Sequence, residues 1–146
     1  MKFKLSQTCK EQRTKNKEQC LMKIFSVEEA NALLPAVRRI LVSIQRAHGS
    51  LLSFQEAAKH AAEGAEFGGG GMRDGAQYIS LLMKLSSRVS ELEALGVQLK
   101  DYERGLIDFP SLRDGRVVLL CWRLGEGDRI EWWHDVEAGF AGRQPL

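Results

Sequence analysis

Apolar residues at Ala30, Leu34, Val37, Leu41 and Ile44, continued by His48 and Leu51, recur at spacings that alternate between four and three. That is a heptad seam, and it commits the stretch to a long helix with one buried stripe. A second seam runs through Tyr78, Leu82, Leu85, Val89 and Leu92. Between the two lies Gly64-Ala-Glu-Phe-Gly68-Gly69-Gly70-Gly71, whose four consecutive glycines end a helix and make a loop. The run has no preceding strand and no G-x-x-x-x-G-K-S/T pattern, so it is not read as a phosphate cradle. The boundaries carry their own signals. Ser26-Val27-Glu28-Glu29 is a capping box, and Gly96 is placed as the C′ residue of the second helix. Pro35 is expected to kink the first helix or to split off a short one, with the long helix restarting at the proline. The expectation is a long antiparallel helical hairpin.

Beyond Gly96 the period changes. Val97-Gln-Leu-Lys100 alternates as a short strand, and Leu106-Ile-Asp-Phe109 reads as a second, stopped by Pro110. Asp114-Gly115 is a hairpin turn signal, and Val117-Val-Leu-Leu-Cys-Trp122 reads as a central strand. Gly125-Glu-Gly-Asp128 makes a turn into Arg129-Ile-Glu-Trp-Trp-His134. Counting across that turn pairs Cys121 with Trp132, Leu119 with His134 and Leu120 with Trp133. Cys121, Trp132 and His134 then share one face. The fold class is α+β: the hairpin over 22–96, followed over 97–146 by a small antiparallel β-sheet of about 3–4 strands, in a single domain.

Charge separates off the N-terminus. Residues 1–22 carry about +4, whereas the other 15 Lys/Arg and 17 Asp/Glu leave the rest slightly acidic. Residues 1–21 are therefore read as a disordered basic extension, and nucleic-acid binding by the folded part is disfavoured. No apolar run reaches the length of a membrane span, and the basic N-terminus, with no apolar h-region after it, is not read as a secretory signal. Cys9, Cys20 and Cys121 lack metal-ligand spacing and read as reduced thiols of a cytoplasmic protein. Residues 35–62 as one helix would span about 42 Å, longer than the ~36 Å diameter of a compact domain of this size. The overhanging hairpin then predicts a homodimer built as a four-helix bundle, with His48 on its seam.

Several segments resemble a known family. They are F-S-V-E-E-A-N-A-L-L-P at 25–35, L-G-V-Q-L-K-D at 95–101, G-L-I-D-F-P at 105–110, V-V-L-L-C-W-R-L-G-E at 117–126 and W-H-D-V-E-A-G-F-A-G-R-Q-P at 133–145. Over residues 22–146 the chain is similar to the bacterial domain of unknown function 2203 family. That resemblance implies no activity and carries over no catalytic residue.

The candidate chemistry rests on side chains alone. Asp108 stands in an apolar strand, where a carboxylate needs a partner. Its structural reading is a pair with Arg104, Arg113 or Arg116, or a cap before Pro110. His134 precedes Asp135, and an imidazole beside carboxylates suits metal ligation or proton transfer. His134, Asp108, Asp101 and Glu103 are the candidate ligands of a divalent metal, and His134, Asp108 and Glu131 the candidate catalytic set of a metal-assisted hydrolase. Phe140 and Arg143, on a Gly-rich turn, could clamp an anionic ligand, with Arg104 and Trp133 as further contacts. The plainer reading of Arg143 is a pair with a carboxylate such as Glu126. Cys121 lies mid-strand in apolar surroundings and is not read as a nucleophile. The leading expectation is a small dimeric binding or assembly protein with its ligand or partner site in the C-terminal β part. The hydrolase is the alternative.

Overall fold

A computed structural model describes residues 22–69 and 71–146; the extension expected at 1–21 lies outside these, as do Cys9, Cys20 and Gly70. Helix α1 spans Val27–Leu52. The capping box forms in both directions: the Glu29 amide donates to Ser26 Oγ at 3.1 Å, and the Ser26 amide donates to a Glu29 carboxylate oxygen at 2.8 Å. Ala30, Leu34, Val37, Leu41 and Ile44 are all buried, as the seam requires. Pro35 does not split the helix, contrary to expectation. It sits on the exposed side, where solvent can satisfy the carbonyl that loses its amide.

The hairpin of two helices becomes three helices. Helix α1 stops at Leu52, α2 runs Gln55–Ala65 and α3 runs Gly75–Ala94. The break follows from local competition: Ser53 Oγ donates to the Ser50 carbonyl at 2.6 Å, and the Phe54 amide turns to the Leu51 carbonyl. Helix α3 packs on α1, whereas no residue of α2 is buried. The inward stripe of α3 is Tyr78, Leu81, Leu85, Val89 and Leu92, so Leu82 faces outward at 40% exposure rather than sitting on the seam. Gly96, at φ +87°, closes α3: its amide donates to the Glu93 carbonyl and the Val97 amide to the Leu92 carbonyl. Those two bonds are the Schellman pattern.

The sheet has five strands, β1 (Gln98–Asp101), β2 (Leu106–Arg113), β3 (Arg116–Arg123), β4 (Trp132–Asp135) and β5 (Gln144–Pro145), in sequence order and all antiparallel. The strand beyond the expected count is β5, which ties down the end of the chain. Leu146 donates its amide to the Glu131 carbonyl at 3.0 Å, and Trp133 Nε1 donates to the Pro145 carbonyl at 3.2 Å. Asp114 and Gly115, at φ 51° and 74°, make the two-residue turn between β2 and β3. The expected β3–β4 pairs Cys121 with Trp132, Leu120 with Trp133 and Leu119 with His134 all form.

Strand β2 runs through Pro110 instead of ending before it. Strand β1 pairs only as far as Asp108, so the missing amide of Pro110 falls beyond β1. Its carbonyl faces the same way and accepts from the Phe25 amide at 2.8 Å. The inner face of the sheet buries Ile107, Phe109, Leu120 and Trp122 against Leu34, Val37, Leu41 and Ile44 of α1 and Leu92 of α3. No helix among the described residues is long and apolar enough to cross a membrane.

Candidate functional site

Alternation sends every second side chain to the outer face of the sheet. Asp108 lies opposite Cys121, and Cys121 lies opposite Trp132. Two residues on, Pro110 lies opposite Leu119 and Leu119 opposite His134. Asp108, Cys121 and His134 therefore meet on the outer face, at 2%, 0% and 2% exposure.

A carboxylate this deep is costly unless it is paired. Asp108 Oδ1 lies 3.3 Å from His134 Nε2, and Oδ2 lies 3.9 Å from Lys100 Nζ. The arginines expected as its partners go elsewhere. Arg104 reaches Asp101 at 3.8 Å, Arg116 reaches Asp135 at 3.5 Å, and Arg113 stacks over Trp133 at 4.6 Å.

The second ring nitrogen of His134 fixes the first. Nδ1 lies 2.8 Å from the Asp135 carbonyl oxygen. A carbonyl only accepts, so the hydrogen-bond network assigns the proton to Nδ1. Nε2 is then the atom presented to Asp108 and Cys121. One ligand atom each from Asp108, Cys121 and His134 lie within 4.8 Å of one another.

Arg143 closes the cluster from the C-terminal segment. Its Nε donates to Cys121 Sγ at 3.2 Å, and its two terminal nitrogens donate to Glu126 at 2.6 and 3.1 Å. The guanidinium also stacks over the Phe140 ring at 4.3 Å. Burial pushes the Cys121 thiol up to about 12, and the Arg143 hydrogen bond offsets only part of that. Burial also pushes Glu126 upward. There the hydrogen bonds from Arg143 and from the Arg123 amide, with the charges of both arginines, win and hold its carboxyl below the usual range.

Of the residues singled out in the sequence, the structure brings His134, Asp108, Arg143 and Phe140 to this face. It does not bring the others. Glu131 is exposed, one residue out of phase with Trp132. Asp101 Oδ1 accepts from the Glu103 and Arg104 amides at 2.8 Å each, which caps the β1–β2 turn. The side chains of Glu103 and Arg104 are exposed there. Trp133 points to the inner face, within the core.

Two partners of Asp108 were missed from the sequence, Cys121 and Lys100. Counting back from the Asp114–Gly115 turn puts Asp108 opposite Cys121, a step the sequence permitted. Beside the cluster a cleft of about 870 Å³ is lined by Lys23, Gln98, Lys100, Val117, Leu119 and Val136, among others. Lys100 belongs to both the cleft and the Asp108 pair.

A family model described as an uncharacterized conserved protein (DUF2203) matches residues 23–146. No curated protein and no solved structure matches the chain.

Proposed function

The chain belongs to the DUF2203 family, and we propose that it is a cytoplasmic homodimeric binding protein, not a catalyst of turnover. Its ligand site is the outer face of the sheet. The observation that carries this reading is the placement of Lys100, which lines the cleft while ion-paired to the buried Asp108–His134 couple. Burying three ionisable or nucleophilic side chains beside a cleft is a cost that packing alone does not require, and such groups gather at functional sites. The cleft has a volume suited to a small molecule. Val117, Leu119 and Val136 offer it an apolar wall, and Lys23 and Lys100 stand against Glu93 as the charged lining groups. The ligand class that fits is a small amphipathic acid.

Self-association is supported by the helices. Phe67, Met83, Ile79 and Leu52 are 89%, 69%, 57% and 51% exposed, and α2 buries nothing. A helix of this length is marginal without a packing partner. A second copy supplies one in a four-helix arrangement. Metal-assisted hydrolysis by His134, Asp108 and Glu131 draws less support. Glu131 is exposed and out of phase with the cluster, and the other two have no open side from which a reactant could reach both.

The test is titration with anilinonaphthalene sulfonate, an amphipathic anion whose emission rises in an apolar site. One saturable site per chain is expected, displaced by decanoate and weakened about tenfold by Lys100→Glu, the ~1.4 kcal/mol of one lost ionic contact. Affinity unchanged by Lys100→Glu contradicts the assignment.

A further inference from the structure

A positive species has to stand between His134 Nε2 and Asp108 Oδ1. With the Nδ1 proton committed to the Asp135 carbonyl, Nε2 directs a lone pair at a carboxylate oxygen 3.3 Å away. Two acceptors at that distance repel unless a proton or a metal ion lies between them. A proton would make a simple buried ion pair, with Cys121 no more than an acceptor for Arg143 Nε. Instead the thiol sits within the same 4.8 Å cluster, so three donors of three kinds converge on one place.

We infer that Asp108, Cys121 and His134 form a site for one divalent transition-metal ion of the zinc class, with a carboxylate oxygen, Sγ and Nε2 as its protein ligands. The inference rests on reading the outer face as the binding face, and it adds a cofactor to that face. The donor set is one that zinc accepts: thiolate, imidazole and carboxylate together. A softer ion would favour more sulfur, and magnesium or calcium would favour oxygen alone.

The surroundings match a metal centre in detail. Histidine ligands characteristically donate their far N–H to a carbonyl or carboxylate, as His134 does to Asp135. A thiolate ligand is steadied by N–H donors, and Arg143 Nε supplies one at 3.2 Å. Glu126 holds that guanidinium in place through two further bonds. Lys100 approaches the other oxygen of Asp108, which leaves Oδ1 facing His134. The hydrophobic shell of Leu119, Pro110 and Trp132 limits solvent at the cluster. On binding, the ion replaces the thiol proton: a metal–sulfur bond forms, the S–H bond breaks and the proton leaves to water.

The probe is Co²⁺ titrated into the metal-free full chain carrying Cys9→Ser and Cys20→Ser, which removes the two thiols outside the described residues. The expected result is a thiolate-to-cobalt charge-transfer band that saturates at one equivalent, disappears on adding Zn²⁺ and is accompanied by proton release. Cys121→Ser abolishes the band. His134→Gln keeps the thiolate but weakens Co²⁺ binding at least tenfold, so a failure of one variant to fold leaves the other to decide. Arg143→Gln, a change outside the ligand set, weakens binding by roughly 10–100-fold. No band in the Cys9→Ser/Cys20→Ser chain, or a band that His134→Gln leaves unchanged, overturns the site. Dye binding in the cleft reports separately on the reading beneath it. Dye bound without metal removes the cofactor alone, and loss of both removes the outer face as a binding surface.

Discussion

His134 and Asp108 are each 2% exposed, and what they can do depends on which ring nitrogen carries hydrogen. The Asp135 carbonyl settles that by accepting from Nδ1. Arg143 decides the other half of the cluster through its bonds to Cys121 and Glu126. The Glu126–Arg143 pair has a pH signature. The folded carboxyl titrates below the ordinary 4.5 of the free group, so between the two values the unfolded chain binds more protons than the folded one. The pair's contribution to stability is therefore present above 4.5 and is lost as pH falls through the folded value. Glu126→Gln is expected to flatten the acid limb of stability against pH, read as urea midpoints. An acid limb identical to that of the native chain contradicts the pairing. At this scale the sequence was partly legible. Asp108 could be named because a charge in an apolar strand needs a partner, His134 because it stands beside carboxylates, and the Arg143–Glu126 pair because an arginine held on a Gly-rich turn needs a carboxylate. Glu131 was grouped with His134 because the two lie close in sequence, and strand alternation with an irregular stretch before Trp132 leaves its side chain exposed and apart from the cluster.

The elements were legible where a local rule governs them. Heptad spacing gave α1 and α3, the Asp-Gly turn and β-branched run gave β2 and β3, and counting across the turn at 125–128 gave the β3–β4 register. Failures fell where tertiary context overrode the local rule. Pro110 stayed in β2 because β1 is too short to need its amide, and β5 formed because Trp132 and Trp133 gave the last residues a partner. The break at Ser53 depended on side-chain bonds that periodicity does not register. Glycine requirements separate cleanly between two positions. A Cβ on Gly96, at φ +87°, would meet Lys23 Cβ at 2.8 Å, whereas one on Gly115, at φ +74°, meets nothing within 4 Å. Gly96→Ala is therefore expected to cost about 1–2 kcal/mol in urea unfolding. Gly115→Asn should stay within about 0.5 kcal/mol, because Asn tolerates the left-handed turn position. Equal costs at the two sites would show that close approach at the end of α3 is not limiting.

At the scale of the whole molecule, the sheet and the helices differ in what they bury. The sheet end is packed on its inner face and chemically busy on its outer face, while α2 and the adjoining part of α3 leave apolar side chains in the open. Helix length argues for an overhang only if residues 35–62 form one helix; α1 ends at Leu52 and α2 starts at Gln55, so self-association is proposed on the exposed apolar side chains instead. Replacing Ile79 and Met83 together with Glu is expected to convert a dimer to a monomer in sedimentation equilibrium without changing the helical circular dichroism. A native chain that sediments as a monomer refutes the helical interface. The outer sheet face is the stronger claim, because there three donors of different chemistry are buried together around one histidine nitrogen. The measurement that tests it most directly is X-ray absorption at the zinc edge of the zinc-loaded full chain. The account predicts one sulfur at about 2.3 Å and nitrogen or oxygen at about 2.0–2.2 Å. A shell with no sulfur, or with the two that Cys9 and Cys20 would supply, contradicts it.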